Sequence, residues 1–248
     1  MKRIKLIGKN LDDIQPLLAA RGFVFDDRKP ELIIAHGGDG TLLQSERDYP
    51  GILKFPLRDA ATAPRCPDHT YESQLDALTS GRVVCTFLPK IAGSCRNRML
   101  YGINDVFIHN RDRINALRYR VRIDGELYAN EIVGDGVGLA SVHGSTAYYR
   151  SITHSIFRVG VGLAFSNSTE EVSHLVLAPG SRVAIDIVRG PGLVVADNSP
   201  EQIAVDAGDV IELFQTDRRA EILALADFMC PKCRALRHPN KLPFKGYF

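Results

Sequence analysis

Five consecutive residues, Gly37-Gly38-Asp39-Gly40-Thr41, have the composition of a phosphate-binding loop. They lie between an apolar run and a segment with helical character. Glycines let the backbone approach a ligand closely, and the amides at the start of a helix are hydrogen-bond donors for phosphate oxygens. Asp39 is placed to contact a substrate hydroxyl or a metal ion. The loop predicts phosphate transfer from a nucleoside triphosphate to a hydroxyl group, and a simple tight turn is the alternative explanation.

A second segment rich in small residues runs from Gly134 to Tyr148. It combines an Asp-Gly turn, a short strand and the run Gly144-Ser-Thr-Ala-Tyr148. Small side chains let the backbone approach a flat ligand, and Thr146 and Tyr148 supply polar contacts. This segment therefore predicts a binding surface for a planar group such as a nucleotide base.

Four motifs together resemble the NAD kinases: Gly37–Thr41, Asn104-Asp105, Asp135-Gly136 and Gly144–Tyr148. That family phosphorylates the 2′-hydroxyl of the adenosine ribose of NAD to make NADP, using ATP or polyphosphate with a divalent metal. The resemblance covers roughly residues 31–209. The first motif is shared with diacylglycerol and sphingosine kinases, whereas the last is much more particular to NAD kinases.

The resemblance implies a role for each matching residue. Asp39 matches the aspartate that engages the ribose hydroxyl and is proposed as general base. The rest of its loop would bind phosphate or nucleotide through Gly37, Gly38, Gly40 and Thr41. The residues that match the NAD-binding positions are Asn104, Asp105, Asp135, Thr146, Ala147, Tyr148 and Ser151. Asp105 replaces the glutamate usual in the family and is one methylene shorter.

The resemblance also implies an architecture and partners. We expect an α/β nucleotide-binding domain over residues 1–101, with a parallel sheet, and an all-β sandwich that binds the dinucleotide over residues 102–220. The tail, residues 221–248, would return to the first domain, and the active site of the family lies between the domains. NAD and ATP or polyphosphate are the implied substrates, Mg²⁺ or another divalent cation is the implied cofactor, and a homodimer or homotetramer is the implied assembly.

The chain departs from the family pattern around the expected substrate pocket. It has Ser141-Val142-His143-Gly144 where relatives read Thr-Pro-Thr/Ser-Gly, and Thr153 and His154 stand in place of two glycines. The segment Lys54–Asp59 replaces a glycine-rich stretch. These differences concern the substrate more than the fold. They leave open a lipid or other small-alcohol kinase and a non-catalytic NAD(P)-binding relative as alternatives.

The spacing of apolar residues independently predicts elements that position these motifs. The first half alternates strand and helix signals, which is typical of a parallel sheet covered by helices. The expected elements are strands at Arg3–Ile7, Glu31–Ala35 and Ile52–Leu57 and helices at Asn10–Ala20, Thr41–Arg47 and Tyr71–Thr79. Beyond Val83 the period changes to two. There Arg118–Ile123 alternates charged and apolar residues before the hairpin signal Asp124-Gly125.

The composition is that of an ordinary globular protein, with 45% hydrophobic and 24% charged residues. A net charge of +2 gives no electrostatic reason to expect a nucleic-acid partner. The sequence shows neither a signal peptide nor an apolar run of the length that spans a bilayer, so we expect a cytoplasmic protein without a membrane partner.

Five cysteines are present, of which Cys230 and Cys233 form a C-x-x-C pair near His238. A structural zinc site usually needs four ligands, and a second cysteine pair is absent. We therefore expect reduced thiols here rather than a metal site.

Overall fold

The computed structural model describes residues 2–239. The chain divides into two compact units. The first runs from the N-terminus to Leu88 and resumes at Ala220, and the second comprises Pro89–Arg219. The expected boundary at residues 101 and 102 lies later in the chain than this division. Residues 221–239 belong to the first unit, whereas the short aromatic end, Lys241–Phe248, lies outside the described residues.

The first unit is a parallel sheet with helices. Its strands lie in the order β2-β1-β3-β4, and all of these neighbours pair in parallel. The strands are β1 (Arg3–Gly8), β2 (Val24–Phe25), β3 (Leu32–His36) and β4 (Leu53–Leu57). The helices are α1 (Gln15–Ala20), α2 (Asp39–Asp48) and α3 (Tyr71–Thr79), with short 3-10 helices at Leu11–Asp13 and Pro67–His69. Near the C-terminus, Ile222 pairs in parallel with Lys54 of β4, and α5 (Leu225–Phe228) and α6 (Pro231–Arg237) follow.

The central strand β3 is buried along its whole length. A continuous apolar run, rather than an alternating one, is what a parallel strand covered on both faces requires. Leu32 and Ile34 pack with Leu18 from α1 and Leu75 from α3 in one core. The same core includes residues from after the second unit, namely Leu223 and Ala224.

The second unit is an antiparallel β-sandwich. One sheet contains β16-β13-β8-β9, together with the β5-β6 pair, and the other has the order β12-β11-β10-β7-β14-β15. The strands of the first sheet are β5 (Cys85–Cys95), β6 (Arg98–Gly102), β8 (Leu117–Ile123), β9 (Glu126–Gly134), β13 (Arg182–Arg189) and β16 (Val210–Leu223). Those of the second are β7 (Asp105–Asn110), β10 (Gly136–Ala140), β11 (Val161–Ser166), β12 (His174–Leu177), β14 (Gly192–Ala196) and β15 (Gln202–Val205). A helix, α4 (Tyr148–Thr153), follows β10.

Alternate residues of the two sheets form one core. Leu117, Tyr119 and Val121 of β8 point into it and are fully buried, while the arginines between them are not. The second sheet contributes Val106 and Ile108 of β7. This arrangement confirms the expected fold class, an α/β unit with a parallel sheet followed by a β-sandwich.

Local expectations had mixed outcomes. The hairpin at Asp124-Gly125 is confirmed, since both residues have left-handed φ angles, 52° and 89°. The helix expected over Asn10–Ala20 is divided into the 3-10 helix Leu11–Asp13 and α1. Asn10 is itself left-handed and its side chain makes no cap hydrogen bond, while its side-chain amide donates to Asp59 Oδ2 over 3.0 Å. Among residues 2–239, none of the helices has the length and apolar character needed to cross a membrane.

Candidate functional site

The glycine loop of the first unit is a tight connection from β3 to α2. Gly37 donates its amide to the carbonyl of Leu57 over 2.8 Å, and Gly38 is the N-cap residue of the helix. The expected helix start at Thr41 was wrong, since α2 begins at Asp39. Asp39, Gly40 and Thr41 therefore form the first helical turn. The partial positive charge of the helix N-terminus lies at Asp39 itself, which favours an anionic ligand there.

The two leading glycines have different steric roles. A Cβ at Gly37 would overlap the side-chain hydroxyl of Thr41. A Cβ at Gly38 would meet only the Nη1 atom of Arg58, at an ordinary contact distance of 3.8 Å. Gly37 is therefore required by packing within the loop. Gly38 instead leaves its backbone open beside a guanidinium group.

Arg58, at the end of β4, forms an ion pair with Asp39. Its Nη2 atom donates to Asp39 Oδ1 over 2.9 Å. The Asp39 side chain is 67% exposed, whereas that of Arg58 is only 9% exposed. Arg58 is fixed from behind, because its Nε donates to the carbonyl of Phe228 over 3.3 Å and its guanidinium lies 3.6 Å from the centre of the Phe228 ring. The exposed carboxylate of Asp39 is therefore held in place by the buried guanidinium of Arg58.

A second guanidinium, that of Arg237 in α6, belongs to the same neighbourhood. Burial lowers the pKa of Arg237, the positive charge of Arg58 lowers it further, and the carboxylate of Asp39 raises it. Its Nη1 atom is buried and makes no hydrogen bond within residues 2–239. Two arginines against one aspartate give this end of α2 a local positive charge, which suits phosphate oxygens.

His36, the last residue of β3, fixes the entry to the loop. Its Nδ1 lies 2.6 Å from the carbonyl oxygen of Lys9, so Nδ1 is the protonated nitrogen. Its Nε2 therefore accepts the hydroxyl proton of Tyr71 over 2.6 Å, and the Tyr71 oxygen accepts the amide of Ala60 over 2.9 Å. This chain of bonds links the loop to the segment that follows Arg58.

In the second unit, the turn that carries Asn104 and Asp105 is held by Asp197. The carboxylate of Asp197 accepts the amides of Ile103, Asn104 and Asp105 over 2.7, 2.8 and 3.2 Å. Asp105 is itself buried at the start of β7. Burial, with a smaller contribution from the charge of Asp197, raises the pKa of Asp105 to about 8. A carboxyl with this pKa is largely protonated at neutral pH and can donate a hydrogen bond.

The Gly144 segment packs against Asn104. Ser141 donates its amide to the carbonyl of Asn104 over 2.8 Å and its hydroxyl to the carbonyl of Ile103 over 2.6 Å. The Ser141 hydroxyl in turn accepts the amide of Gly144 over 3.0 Å. A Cβ at Gly144 would overlap the backbone of Asn104, so the glycine is required by this close approach. The structure thus brings two of the predicted motifs together.

The predicted residues that follow form a short turn and the start of α4. Thr146 ends the 3-10 turn Gly144–Thr146, where its hydroxyl donates to the carbonyl of His143 over 3.3 Å. Ala147 donates its amide to Gly144 over 2.8 Å, and the Ser151 hydroxyl donates to the carbonyl of Tyr148 over 2.7 Å. The hydroxyl groups of Thr146 and Ser151 thus donate to backbone carbonyls, but their oxygens can still accept hydrogen bonds.

Tyr148 belongs to an aromatic cluster with Phe107 and His109 of β7. Its ring lies edge-on to Phe107, with centroids 4.9 Å apart, and 5.5 Å from His109. Phe107 and His109 are near neighbours along one strand face, with rings stacked at 5.7 Å. Gly138 makes this possible, since a Cβ there would overlap the Phe107 ring. The exposed Tyr148 gives the cluster a surface for a flat ligand.

A pocket of about 460 Å³ opens beside this cluster. Tyr148 and Ser151 line it, together with His154 and Asn167. Asn167 donates to Asp135 Oδ2 over 3.0 Å, which ties Asp135 to the pocket wall. A volume of this size falls within the range of ordinary ligand pockets.

His154 stands where the family pattern has a glycine. It ends α4 in the left-handed region, with φ 53°, a conformation that glycine adopts without steric penalty. The chain therefore places an imidazole in the pocket lining at a position whose backbone conformation suits glycine.

None of the known family models matches the chain. Curated proteins do. A NAD kinase of Lactobacillus delbrueckii subsp. bulgaricus is 29% identical over 56% of this chain and 56% of its own length. A NAD kinase of Brucella suis biovar 1 is 30% identical over 48% of each, and the mitochondrial NADH kinase of Saccharomyces cerevisiae is 25% identical over 52% of this chain and 33% of its own length. The chain thus spans about half the length of the curated relatives it matches.

Solved structures match more of the chain. A NAD kinase from Archaeoglobus fulgidus in complex with ATP superposes with a TM-score of 0.75 at 17% identity, covering 95% of this chain and 99% of that one. Yeast NADH kinase complexed with NADH gives a TM-score of 0.80 at 16% identity, covering 100% of this chain and 89% of that one. The chain is thus similar to NAD kinases in sequence over about half its length and in fold over nearly all of it. At these identities the structural likeness concerns the fold, which agrees with that predicted from the motifs.

The sequence patterns did not identify several residues that shape the candidate site. Arg58 lies in Lys54–Asp59, the segment that departs from the NAD kinase pattern, so the departure itself was a signal. Asp197 and Arg237 gave no local signal, since each is distant in sequence from the motif it contacts. The alternation of Asp105, Phe107 and His109 on one strand face was a readable period-two pattern.

Proposed function

We propose that the protein is a NAD kinase, which transfers the γ-phosphate of a nucleoside triphosphate to the 2′-hydroxyl of the adenosine ribose of NAD. The observation that carries this proposal is the exposed carboxylate of Asp39 at the N-terminus of α2, with Arg58 and Arg237 beside it. The names of the curated relatives support the same activity.

In this proposal Asp39 positions the acceptor. Its carboxylate accepts a hydrogen bond from the attacking hydroxyl and orients the oxygen toward phosphorus. As the new oxygen–phosphorus bond forms, the bond from the γ-phosphorus to its bridging oxygen breaks, and the hydroxyl proton leaves by way of Asp39 or water. Positioning and charge compensation supply most of the catalysis in phosphoryl transfer.

The helix amides and the two arginines would compensate the charge of the donor phosphates. Phosphate oxygens accept from the Asp39 amide at the N-terminus of α2, and Arg58 is held within reach of the loop by its contact with Phe228. ATP and polyphosphate both present such oxygens, and we propose that ATP is the donor.

A divalent cation such as Mg²⁺ would enter with the triphosphate. Mg²⁺ in phosphoryl-transfer sites usually keeps several waters and binds one or two carboxylates plus phosphate oxygens. The exposed Asp39 carboxylate fits this limited requirement, since only its Oδ1 accepts from Arg58 and Oδ2 would serve as the ligand. The cation supplies charge neutralisation on the phosphates when bound.

The second unit would bind the dinucleotide. Tyr148 supplies an aromatic face, and Asp135 and Asn167 supply polar groups at the same pocket. The protonated carboxyl of Asp105 adds a hydrogen-bond donor at a neighbouring turn. We propose that Asn104, Asp105, Asp135, Thr146, Ala147, Tyr148 and Ser151 contact the dinucleotide. A homodimer or homotetramer remains a prediction, which light scattering on the purified chain measures directly.

The test is a turnover assay on the purified full-length chain. NAD and NADH are supplied as acceptors, ATP and polyphosphate as donors, with and without Mg²⁺, and NADP or NADPH is quantified by chromatography. We expect NADP from NAD with ATP and Mg²⁺, and at least about a hundredfold loss in kcat for Asp39→Asn. The matched control is Asp48→Asn, which changes an aspartate at the other end of α2 that pairs with Arg47.

Three results would contradict the proposal. Binding of NAD and ATP without any product would indicate a non-catalytic relative. Phosphorylation of diacylglycerol or sphingosine with NAD inert would indicate a lipid kinase. Equal activity of Asp39→Asn and Asp48→Asn would remove Asp39 from the site.

A further inference from the structure

Four metal-binding side chains meet in the first unit: Cys66, His69, Cys230 and Cys233. One ligand atom from each lies within 4.8 Å of all the others. We propose that these residues bind a structural Zn²⁺ ion. The sequence offers no second cysteine pair for Cys230 and Cys233, but the fold brings Cys66 and His69 beside them from a distant part of the sequence.

The cluster is built from two similar tetrapeptides, Cys66-Pro67-Asp68-His69 and Cys230-Pro231-Lys232-Cys233. In each, the cysteine is the N-cap residue of a short helix, the proline is at the first helical position, and the second ligand lies three residues after the first. Proline at that position fixes φ and requires no amide partner. Each tetrapeptide therefore presents two ligands on one side of a single turn.

Ion pairing also joins the two turns. Lys232 Nζ lies 3.0 Å from Asp68 Oδ2, so the charged third residues of the tetrapeptides pair with each other. Cys66 donates its amide to the sulfur of Cys233 over 3.3 Å. Backbone amides that point at a sulfur are typical of sites that hold a thiolate, because they stabilise its negative charge.

The distances between ligand atoms in the structure suit tetrahedral zinc. Cys66 Sγ lies 3.4 Å from Cys233 Sγ and 3.1 Å from His69 Nδ1, and Cys233 Sγ lies 3.6 Å from His69 Nδ1. Bonds of about 2.3 Å to sulfur and 2.0–2.1 Å to nitrogen place tetrahedral ligands roughly 3.5–3.8 Å apart. Small outward shifts of the side chains would therefore admit the ion.

The surroundings of His69 support the same assignment. Its Nδ1 faces the sulfurs, and its Nε2 lies 3.5 Å from Asp227 Oδ1. A carboxylate next to the second ring nitrogen of a metal-bound histidine is a common arrangement, since it fixes the tautomer and orients the ring. The three cysteines are buried, which keeps the sulfurs away from solvent.

Three thiolates and one imidazole favour zinc over harder cations. Mg²⁺ and Ca²⁺ prefer oxygen ligands, whereas closed sites of three cysteines and one histidine are typical of structural zinc. All four tetrahedral positions are filled by protein, so the site binds metal for stability and does not activate water. The ion would attach the C-terminal turn of Cys230 to the loop of Cys66.

This attachment has a local consequence. Asp227, the neighbour of His69, directly precedes Phe228, whose carbonyl and ring hold Arg58. Loss of the ion would loosen the support of Arg58 and thereby the ion pair of Arg58 with Asp39.

Metal content tests the proposal independently of enzyme activity. The full-length chain is purified in reductant, and zinc per chain is measured by plasma mass spectrometry and by native mass spectrometry. We expect about one zinc per chain in the wild type and less than about a tenth of that in Cys66→Ser. Cys85→Ser is the matched control, since Cys85 is another free cysteine of the first unit outside the cluster.

Two further measurements test the proposal even if Cys66→Ser fails to fold. In wild-type protein refilled with Co²⁺, tetrahedral thiolate coordination gives intense d–d and charge-transfer bands, and His69→Cys should retain metal and strengthen the charge-transfer band. Chelation should lower the Tm of wild type and Cys85→Ser alike. Wild-type protein that takes up neither zinc nor Co²⁺ in reductant would overturn the proposal, as would a Cys66–Cys233 disulfide that persists in reductant.

Discussion

Arg58 donates from Nη2 to Asp39 Oδ1 over 2.9 Å, so a buried guanidinium supports an exposed carboxylate. The pair joins the end of β4 to the first turn of α2, the helix that precedes β4 in the chain. Because Phe228 holds Arg58 from the other side, the geometry of Asp39 depends on a residue near the C-terminus.

Two replacements of Arg58 test whether its hydrogen bond to Asp39 or its positive charge matters more. We expect Arg58→Ala to lower kcat/KM for the triphosphate by about 10- to 100-fold, because both the ion pair and a phosphate partner are lost. Arg58→Lys keeps a charge but lacks the planar fork, so it should recover only part of the activity. Steady-state kinetics measure both. Arg47→Ala, which removes an arginine from α2, is the control, and equal kinetics for Arg58→Ala and the control would contradict the prediction.

The two leading glycines should differ in their tolerance to substitution. Gly37→Ala places a methyl group into the Thr41 hydroxyl, and we expect it to destabilise the chain by about 2–3 kcal/mol. Gly38→Ala meets only Arg58 at contact distance and should cost less than about 1 kcal/mol. Urea unfolding of both variants checks this order. Similar losses in the two would mean that the Thr41 contact does not explain the glycine.

Asp105 should make stability depend on pH. Its pKa is about 8 in the folded chain, against an ordinary value of 3.8. Between about pH 4 and pH 8 the folded chain therefore keeps a proton that the unfolded chain has released, and the free energy of unfolding falls as pH rises. Asp105→Asn is neutral throughout. Its stability relative to wild type should rise across this window and level off above it.

Unfolding curves at a series of pH values measure this difference. Asp112→Asn, which changes a more exposed aspartate, is the control and should run parallel to wild type. Asp197→Asn should lower the pKa of Asp105, because it removes the second cause of the shift, and carbon NMR of the carboxyl reads this directly. Parallel curves for Asp105→Asn and wild type would contradict the assignment.

Tyr148 should contribute to dinucleotide affinity through its ring. Tyr148→Ala removes the exposed face of the aromatic cluster, and we expect the KM for the dinucleotide to rise about tenfold with little change in Tm. Tyr148→Phe should stay within about threefold of wild type. Tyr101→Ala, in β6, is the control. An unchanged KM in Tyr148→Ala would place the dinucleotide elsewhere.

The strands and helices with strong local patterns were predictable. Helix α3 has the predicted bounds, Tyr71–Thr79, because Thr70 caps it through a hydrogen bond from Ser73 and Gly81 follows it. The buried strand β3 and the Asp124-Gly125 hairpin were also readable, since each depends on neighbours in sequence. The helix expected from residue 10 starts as a 3-10 turn after a left-handed Asn10, whose contact with Asp59, nearly fifty residues away, has no signal in the local sequence.

The sites were predictable only where a motif is continuous. Asp39 and Tyr148 lie in continuous sequence motifs, Gly37–Thr41 and Gly144–Tyr148. In contrast, Arg58, Asp197 and His69 act through contacts that only the fold creates. Asp197 is the clearest example, because its carboxylate organises Asn104 and Asp105 from the end of the adjacent strand β14. A carboxylate that binds backbone amides carries no sequence signature, since any aspartate at the right place serves.

The discontinuity of the first unit bears on how the protein is made. The core around β3 and β4 needs Leu223 and Ala224, and β4 needs Ile222 as its neighbour. These residues leave the ribosome only after the entire β-sandwich has been synthesised. At roughly 5–20 residues per second, the delay is on the order of ten seconds. During that time the apolar edge of β4 is incomplete, so the core of the nascent first unit cannot close until the second unit has been made.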